Sequence, residues 1–138
     1  VDPVNGNVIR KEDISIMVNI DQIGSTLSPL KSGDSNYLIL LADTYADFHR
    51  GSLKYANTRY ELGLDLGFDY YGSSSFTDMF YRRVSEQKIF LDHKVPAVMF
   101  TSGITMNNNK TRDTADTLDY TVLKKRIWAI FHWIERTM

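Results

Sequence analysis

The stretch "NYLILLADTYADFHRGSLKYANTRYELG", Asn36 to Gly63, decides the fold. It opens on an apolar run, Asn36 to Ala42, short enough to be a buried strand. From Asp43 or Thr44 the period changes. Tyr45, Phe48, Ser52, Tyr55 and Ala56 recur at three- and four-residue steps, which predicts a helix to about Leu62. Gly63 is placed to stop it. A strand feeding directly into a helix is the unit from which α/β sandwiches are built.

Working outward, "ISIMVNID" alternates, with Ile14, Ile16, Val18 and Ile20 on one face and Ser15, Met17 and Asn19 on the other. Rich in β-branched residues, it reads as another strand, with Asp21 at its carboxyl end. Gly24 to Gly33 is a turn-rich loop around Pro29, and residues 1–12 are a polar lead-in with a turn at Asn5-Gly6. Downstream, "LDLGFDYYG" reads as a third strand, and Ser73 to Ser75 begin a short helix around Phe76 to Arg82. Ser85 is placed to cap a further helix reaching His93, with Glu86 in its first turn. "VPAVMFT", Val95 to Thr101, is a fourth strand. The chain closes on a helix from Asp119 to Met138, capped by Asp119 and striped by Leu123, Ile127, Ile130, Phe131 and Ile134. The expected fold is a single α/β domain with three α/β/α layers and a mixed, partly parallel sheet. Such sheets gather working residues at the carboxyl ends of strands, which draws attention to Asp21 and to the long loop after Thr101.

Composition excludes several functions. The chain has 138 residues, a net charge of −1 and no cysteine. Scattered basic residues give no footprint for nucleic acid, and no apolar run is long enough to span a bilayer, so neither nucleic acid nor membrane is expected as a partner. Without cysteine there is no disulfide framework, thiol catalysis or thiolate metal site. Gly33-Asp34-Ser35 precedes a strand and lacks the strand–elbow–helix context of a hydrolase nucleophile. His49, His93 and His132 have no identifiable catalytic partner and are expected at the surface or the edge of the core. Trp128 and Trp133 are expected to pack. Asp21 is open to two readings, a metal ligand or a cap for the turn after its strand. Asn107 to Asn109 suit turns on their own account, and Asn109-Lys110-Thr111 forms a glycosylation sequon. The chain begins Val1-Asp2-Pro3 with neither initiator Met nor signal peptide, which suggests a processed or truncated piece.

Three segments share one further property. "MVNIDQIGS", Met17 to Ser25, resembles the Asn-x-Asp-x-x-Gly strand end of the secreted zinc-dependent aminopeptidase family, which includes bacterial leucyl aminopeptidases and has glutaminyl cyclases and glutamate carboxypeptidase as relatives. "SEQKIFLDHKVPAVMFTSG", Ser85 to Gly103, is similar to that family's Ser-Asp-His/Gln, Phe, Ile-Pro-Ala stretch. "NKTRDTADTLDY", Asn109 to Tyr120, resembles its His-x-x-x-Asp-Thr-x-Asp-x-x-Asp/Asn-Tyr stretch. Order and spacing agree from about Ile14 to Met138, the C-terminal half of the family's catalytic domain.

The resemblance implies a site in which two zinc ions share an aspartate and a water, with a glutamate as general base. Asp21 inherits the position of a terminal zinc ligand. The other terminal ligand, a histidine four residues before the Asp-Thr pair, falls on Asn109, whose neutral carbonyl is a much weaker zinc donor than imidazole. Ser85, Glu86 and Gln87 inherit a pocket-forming position, and no residue of this chain inherits a catalytic one. The family's first histidine, bridging aspartate and paired glutamates precede the Asn-x-Asp strand. Here Asp2, Glu12 and Asp13 are the acids before Ile20, with no histidine. The resemblance therefore implies the C-terminal part of a metallo-aminopeptidase-like protein, inactive as this chain alone and not holding zinc stably. Its partners would be a peptide substrate, the missing N-terminal half and, across an exposed sheet edge, a second copy in a homo-oligomer. The alternative is a non-catalytic peptide- or protein-binding relative with a degraded metal site. A secreted or periplasmic location is implied by resemblance alone.

Overall fold

The computed structural model describes residues 9–70, 72–83 and 85–138, so the turn at Asn5-Gly6 and Asp2 lie outside the described residues. The strands are β1 (Met17–Ile20), β2 (Tyr37–Ala42), β3 (Asp65–Gly67) and β4 (Ala97–Thr101). The helices are α1 (Ala46–Arg59), α2 (Ser74–Arg83), α3 (Gln87–Asp92) and α4 (Tyr120–Thr137). The sheet order is β1-β4-β2-β3, with β1 parallel to β4, β4 antiparallel to β2, and β2 parallel to β3. This is the expected α/β fold with a mixed, partly parallel sheet. The sheet thus holds two parallel pairs running in opposite directions.

β2 lies at the centre, and its alternation separates two cores. Leu38 and Leu40 join Leu53 of α1, Val98 and Phe100 of β4, and Ala129, Ile130 and Trp133 of α4. Tyr37, Ile39 and Leu41 join Tyr70, Met99 and Phe80 and Tyr81 of α2. Each fully buried leucine contributes about 2 kcal/mol by leaving water.

Several expected details change. β1 starts at Met17, not Ile14. The Met17 N–H donates to the Pro96 carbonyl at 2.8 Å, and beyond that point Pro96 has no N–H to extend the ladder. α1 ends at Arg59, short of Leu62, because the Asn57 side-chain amide clamps both backbone groups of Leu64 at 2.8 and 2.9 Å. Gly63 then turns the chain with φ +64°. The inward face of α1 is His49, Ser52, Leu53 and Ala56, whereas Tyr45, Phe48 and Tyr55 lie outside. Small residues at 52 and 56 suit the close approach of α4.

α4 turns by a similar amount. Asp119 caps it as expected, accepting from Thr121 and Val122 N–H at 3.0 Å each. Its buried residues are Val122, Arg126, Ala129, Ile130 and Trp133, while Ile127 and Phe131 of the expected stripe are exposed. The physical reason is Arg126. Its guanidinium is 0% exposed and donates to the carbonyls of Tyr37 (2.6 Å), Ile23 (2.7 Å) and Ser25 (2.8 Å), drawing that face inward. Trp133 packs in the core, but Trp128 is exposed and stacks on His132. His49 is buried, against the expectation of a surface or edge position for it. No helix among the described residues is long and apolar enough to cross a membrane.

Candidate functional site

The parallel pair β1/β4 sends both of its carboxyl ends to one edge of the sheet, so Asp21 and the loop after Thr101 meet there. Asp21 extends the pairing by one residue, its N–H donating to the Phe100 carbonyl at 3.1 Å. Gln22 then adopts a left-handed backbone, φ 59°, a conformation that costs a non-glycine residue about 1 kcal/mol. Its surroundings hold it there. The Gln22 carbonyl accepts from the N–H and hydroxyl of Ser102, and its side-chain amide donates to Asn108 Oδ1 at 2.8 Å. One residue therefore ties the β1 strand end to the β4 strand end and to the asparagine loop.

Between these segments lies a cleft of about 310 Å³, lined by Asp21, Ser85, Thr101, Asn108 and Asn109 among others. Asp21, Ser85 and Asn109, singled out in the sequence, are thus brought together. Glu86 is exposed beside the cleft and Gln87 is buried behind it. The expected capping role of Ser85 is not observed. Glu86 occupies the position before α3 and makes no side-chain cap, while the Ser85 hydroxyl is engaged elsewhere. It accepts from Asn19 Nδ2 at 2.8 Å and lies 2.8 Å from Glu86 Oε2 and 3.2 Å from Asp21 Oδ2. A hydroxyl has one proton and can serve one carboxylate at a time. The shorter contact goes to Glu86, and that bond holds the Glu86 carboxyl below its usual range.

Behind them, Gln87 is satisfied throughout. Its Oε1 accepts from Asn19 Nδ2 at 2.7 Å, and its Nε2 donates to the Tyr81 carbonyl at 2.8 Å and contacts Met99 Sδ at 3.3 Å. The chain Gln87–Asn19–Ser85 fixes the cleft wall. Asn19 is the functional neighbour that sequence reading left unassigned. The available signal was an amide within an apolar strand segment, which must find partners once that strand is packed. Phe80, Met99 and Ile104 supply apolar walls that no sequence spacing indicates, because they come from different elements.

Electrostatically the cleft is one-sided. Its lining includes no basic residue, and Asp21 forms no ion pair among the described residues. Asn109 stands exposed with φ 57°, a left-handed conformation that asparagine accepts readily. The donor set, one carboxylate and neutral amides, does not fit the two-zinc group implied by the resemblance. Among the described residues no group of three or more His, Cys, Asp or Glu side chains could hold a metal ion. Gly33-Asp34-Ser35 forms a turn before β2, with Asp34 Oδ1 accepting from the Asn36 N–H at 2.8 Å. Comparison with protein-family models, curated proteins and solved structures returns no match to this chain.

Proposed function

We propose that this chain is the C-terminal part of a metallo-aminopeptidase-like domain, contributing Asp21 and the Ser85–Gln87 wall to a cleft that does not hydrolyse peptide bonds by itself. One observation supports this reading above the others. Asp21, Ser85 and Asn109, the positions picked out by three separate sequence segments, line a single cleft at the carboxyl ends of a parallel strand pair. In the family, metal-activated water attacks the amide and the metals stabilise the oxyanion. Here the residues present supply a carboxylate anchor and a hydrogen-bonded wall, and nothing that activates water.

A second reading is favoured by Asn109. A neutral amide where the resemblance puts an imidazole fits a non-catalytic relative that binds peptides or another protein in the same cleft. Metal analysis with an aminoacyl-nitroanilide assay tests both. This chain is expected to hold no stoichiometric zinc and to show no turnover. Stoichiometric zinc with turnover lost in Asp21→Asn would overturn the inactivity of the chain. In the full-length protein, zinc with turnover favours the first reading, and peptide binding without zinc favours the second. A secreted or periplasmic location belongs to the same proposal and is tested by fractionating the native host.

A further inference from the structure

The mixed sheet has a second carboxyl edge. β2 and β3 run parallel to each other and opposite to β1 and β4, so their carboxyl ends open a crevice at the far end of the sheet. Its volume is about 300 Å³, within the range of small-molecule sites, and Leu41, Ala42 and Phe68 give it an apolar floor. We propose that this crevice binds a small zwitterion bearing one carboxylate and one ammonium group, such as a free amino acid.

The charges around the crevice differ in how far they are already satisfied. Arg82 is spent, with Nη2 on Asp43 at 2.8 Å and Nε on Asp78 at 2.6 Å. Arg50 is not. Its nearest carboxylate, Asp47, is fully exposed at 3.8 Å, and Arg50 has no hydrogen bond among the described residues. Its guanidinium is held over the Phe68 ring, 5.7 Å from the centroid. A half-buried, pre-oriented guanidinium fork receives a carboxylate with two parallel bonds. Asp69 is the complementary group. It accepts from the Gly72 N–H at 2.8 Å and forms no ion pair among the described residues, leaving its negative charge for an ammonium. Among the lining residues Asp43, Asp69 and Asp78 stand beside Arg50 and Arg82, with Lys54 over the Phe68 ring and Lys31 next to Gly72, so both signs of charge are present around the crevice. A ligand that carries one charge of each sign matches a rim that carries both.

The test is a titration of the isotopically labelled chain with L-valine, valinamide and N-acetylvaline, followed at the Gly72 amide and the Arg50 Nε–H. Valine is expected to shift both signals saturably. Arg50→Gln should weaken it by about tenfold or more, as loss of a charge-assisted pair does. Asp69→Asn keeps an acceptor for Gly72 and removes only the charge, so it should weaken valine and leave N-acetylvaline unchanged. Absence of saturable shifts at millimolar valine would overturn the proposal. So would undiminished binding in Arg50→Gln, binding of either blocked analogue as tight as that of valine, or shifts confined to the Asp21 cleft. Shifts confined to the Asp21 cleft would report binding there; the other outcomes leave the Asp21 reading untouched, because its residues are at the other end of the sheet.

Discussion

Replacing Arg126 by methionine probes how the Asp21 segment is held. The side chain is fully buried, its Nη2 has no hydrogen-bond partner among the described residues, and its charge rests on main-chain carbonyls and the Tyr37 ring at 4.7 Å. Burial pulls its pKa below the ordinary guanidinium value. Methionine keeps most of the volume but removes the charged donor to the carbonyls of Ile23, Ser25 and Tyr37. At about 1–3 kcal/mol for each of these three bonds to a charged group, the gross loss is about 3–9 kcal/mol. Removing a buried cation returns several kcal/mol of desolvation, so the net destabilisation should be about 2–4 kcal/mol. Urea unfolding followed by tryptophan fluorescence reads this directly, since Trp133 is in the core. With a slope of about 1.5 kcal/mol per molar urea, the midpoint should fall by about 2 M. Amide exchange should accelerate at residues 21–25 more than in the second half of α4. Arg126→Lys, with one nitrogen in place of a fork, should fall between. An unchanged or raised midpoint for Arg126→Met would refute this account of the strand end.

His49 should make stability pH-dependent. It is buried, its Nδ1 lacks a partner among the described residues, and burial lowers its pKa from 6.5. Above that value both folded and unfolded chains are neutral at this site. Below it the unfolded chain takes up a proton that the folded one resists, so stability falls as pH drops. His49→Gln should flatten that slope between pH 7 and about 5, measured by urea midpoints. Asp119→Ala should cost about 1 kcal/mol through loss of the α4 cap, read in the same way. Gln87→Leu should cost about 2 kcal/mol, because the Asn19 amide and the Tyr81 carbonyl lose their partner, and it should shift the Ser85 and Asp21 amides. Among the described residues β1 is paired on one side only, its four residues include no charge or proline, and Ile20 is 48% exposed. Sedimentation should therefore show self-association that Ile20→Lys reduces, and a strict monomer would count against it.

How far the sequence could be read depended on where the signal lay. Strand–helix alternation carried β2, α1, β4 and α4, since each combines a periodic core with a local stop or cap such as Asp119 or Gly63. Mixed sheet topology was legible only in outline, because no local residue states that β2 runs against β4. The inward faces of α1 and α4 were misjudged by about one residue. Apolar periodicity pointed correctly to Ser52, Ala56 and Ile130, but also to Tyr55, Ile127 and Phe131, which are exposed because the buried Arg126 helps set the interface. Asp21 and Asn109 emerged from motif spacing. Asn19, Gln22 and the apolar cleft walls did not, because their roles exist only once distant segments meet.

Substitution of Asn109 by histidine tests the central claim most directly. Histidine tolerates the left-handed backbone at this position, φ 57°, and adds an imidazole to the cleft that holds Asp21. Calorimetric titration with zinc should show affinity at least about tenfold above the unmodified chain, since imidazole is a far better donor than an amide carbonyl. That gain should vanish when Asp21→Asn is added. No gain in Asn109→His, or a gain that survives the loss of Asp21, would contradict the assignment of both positions to one metal-ligand cleft.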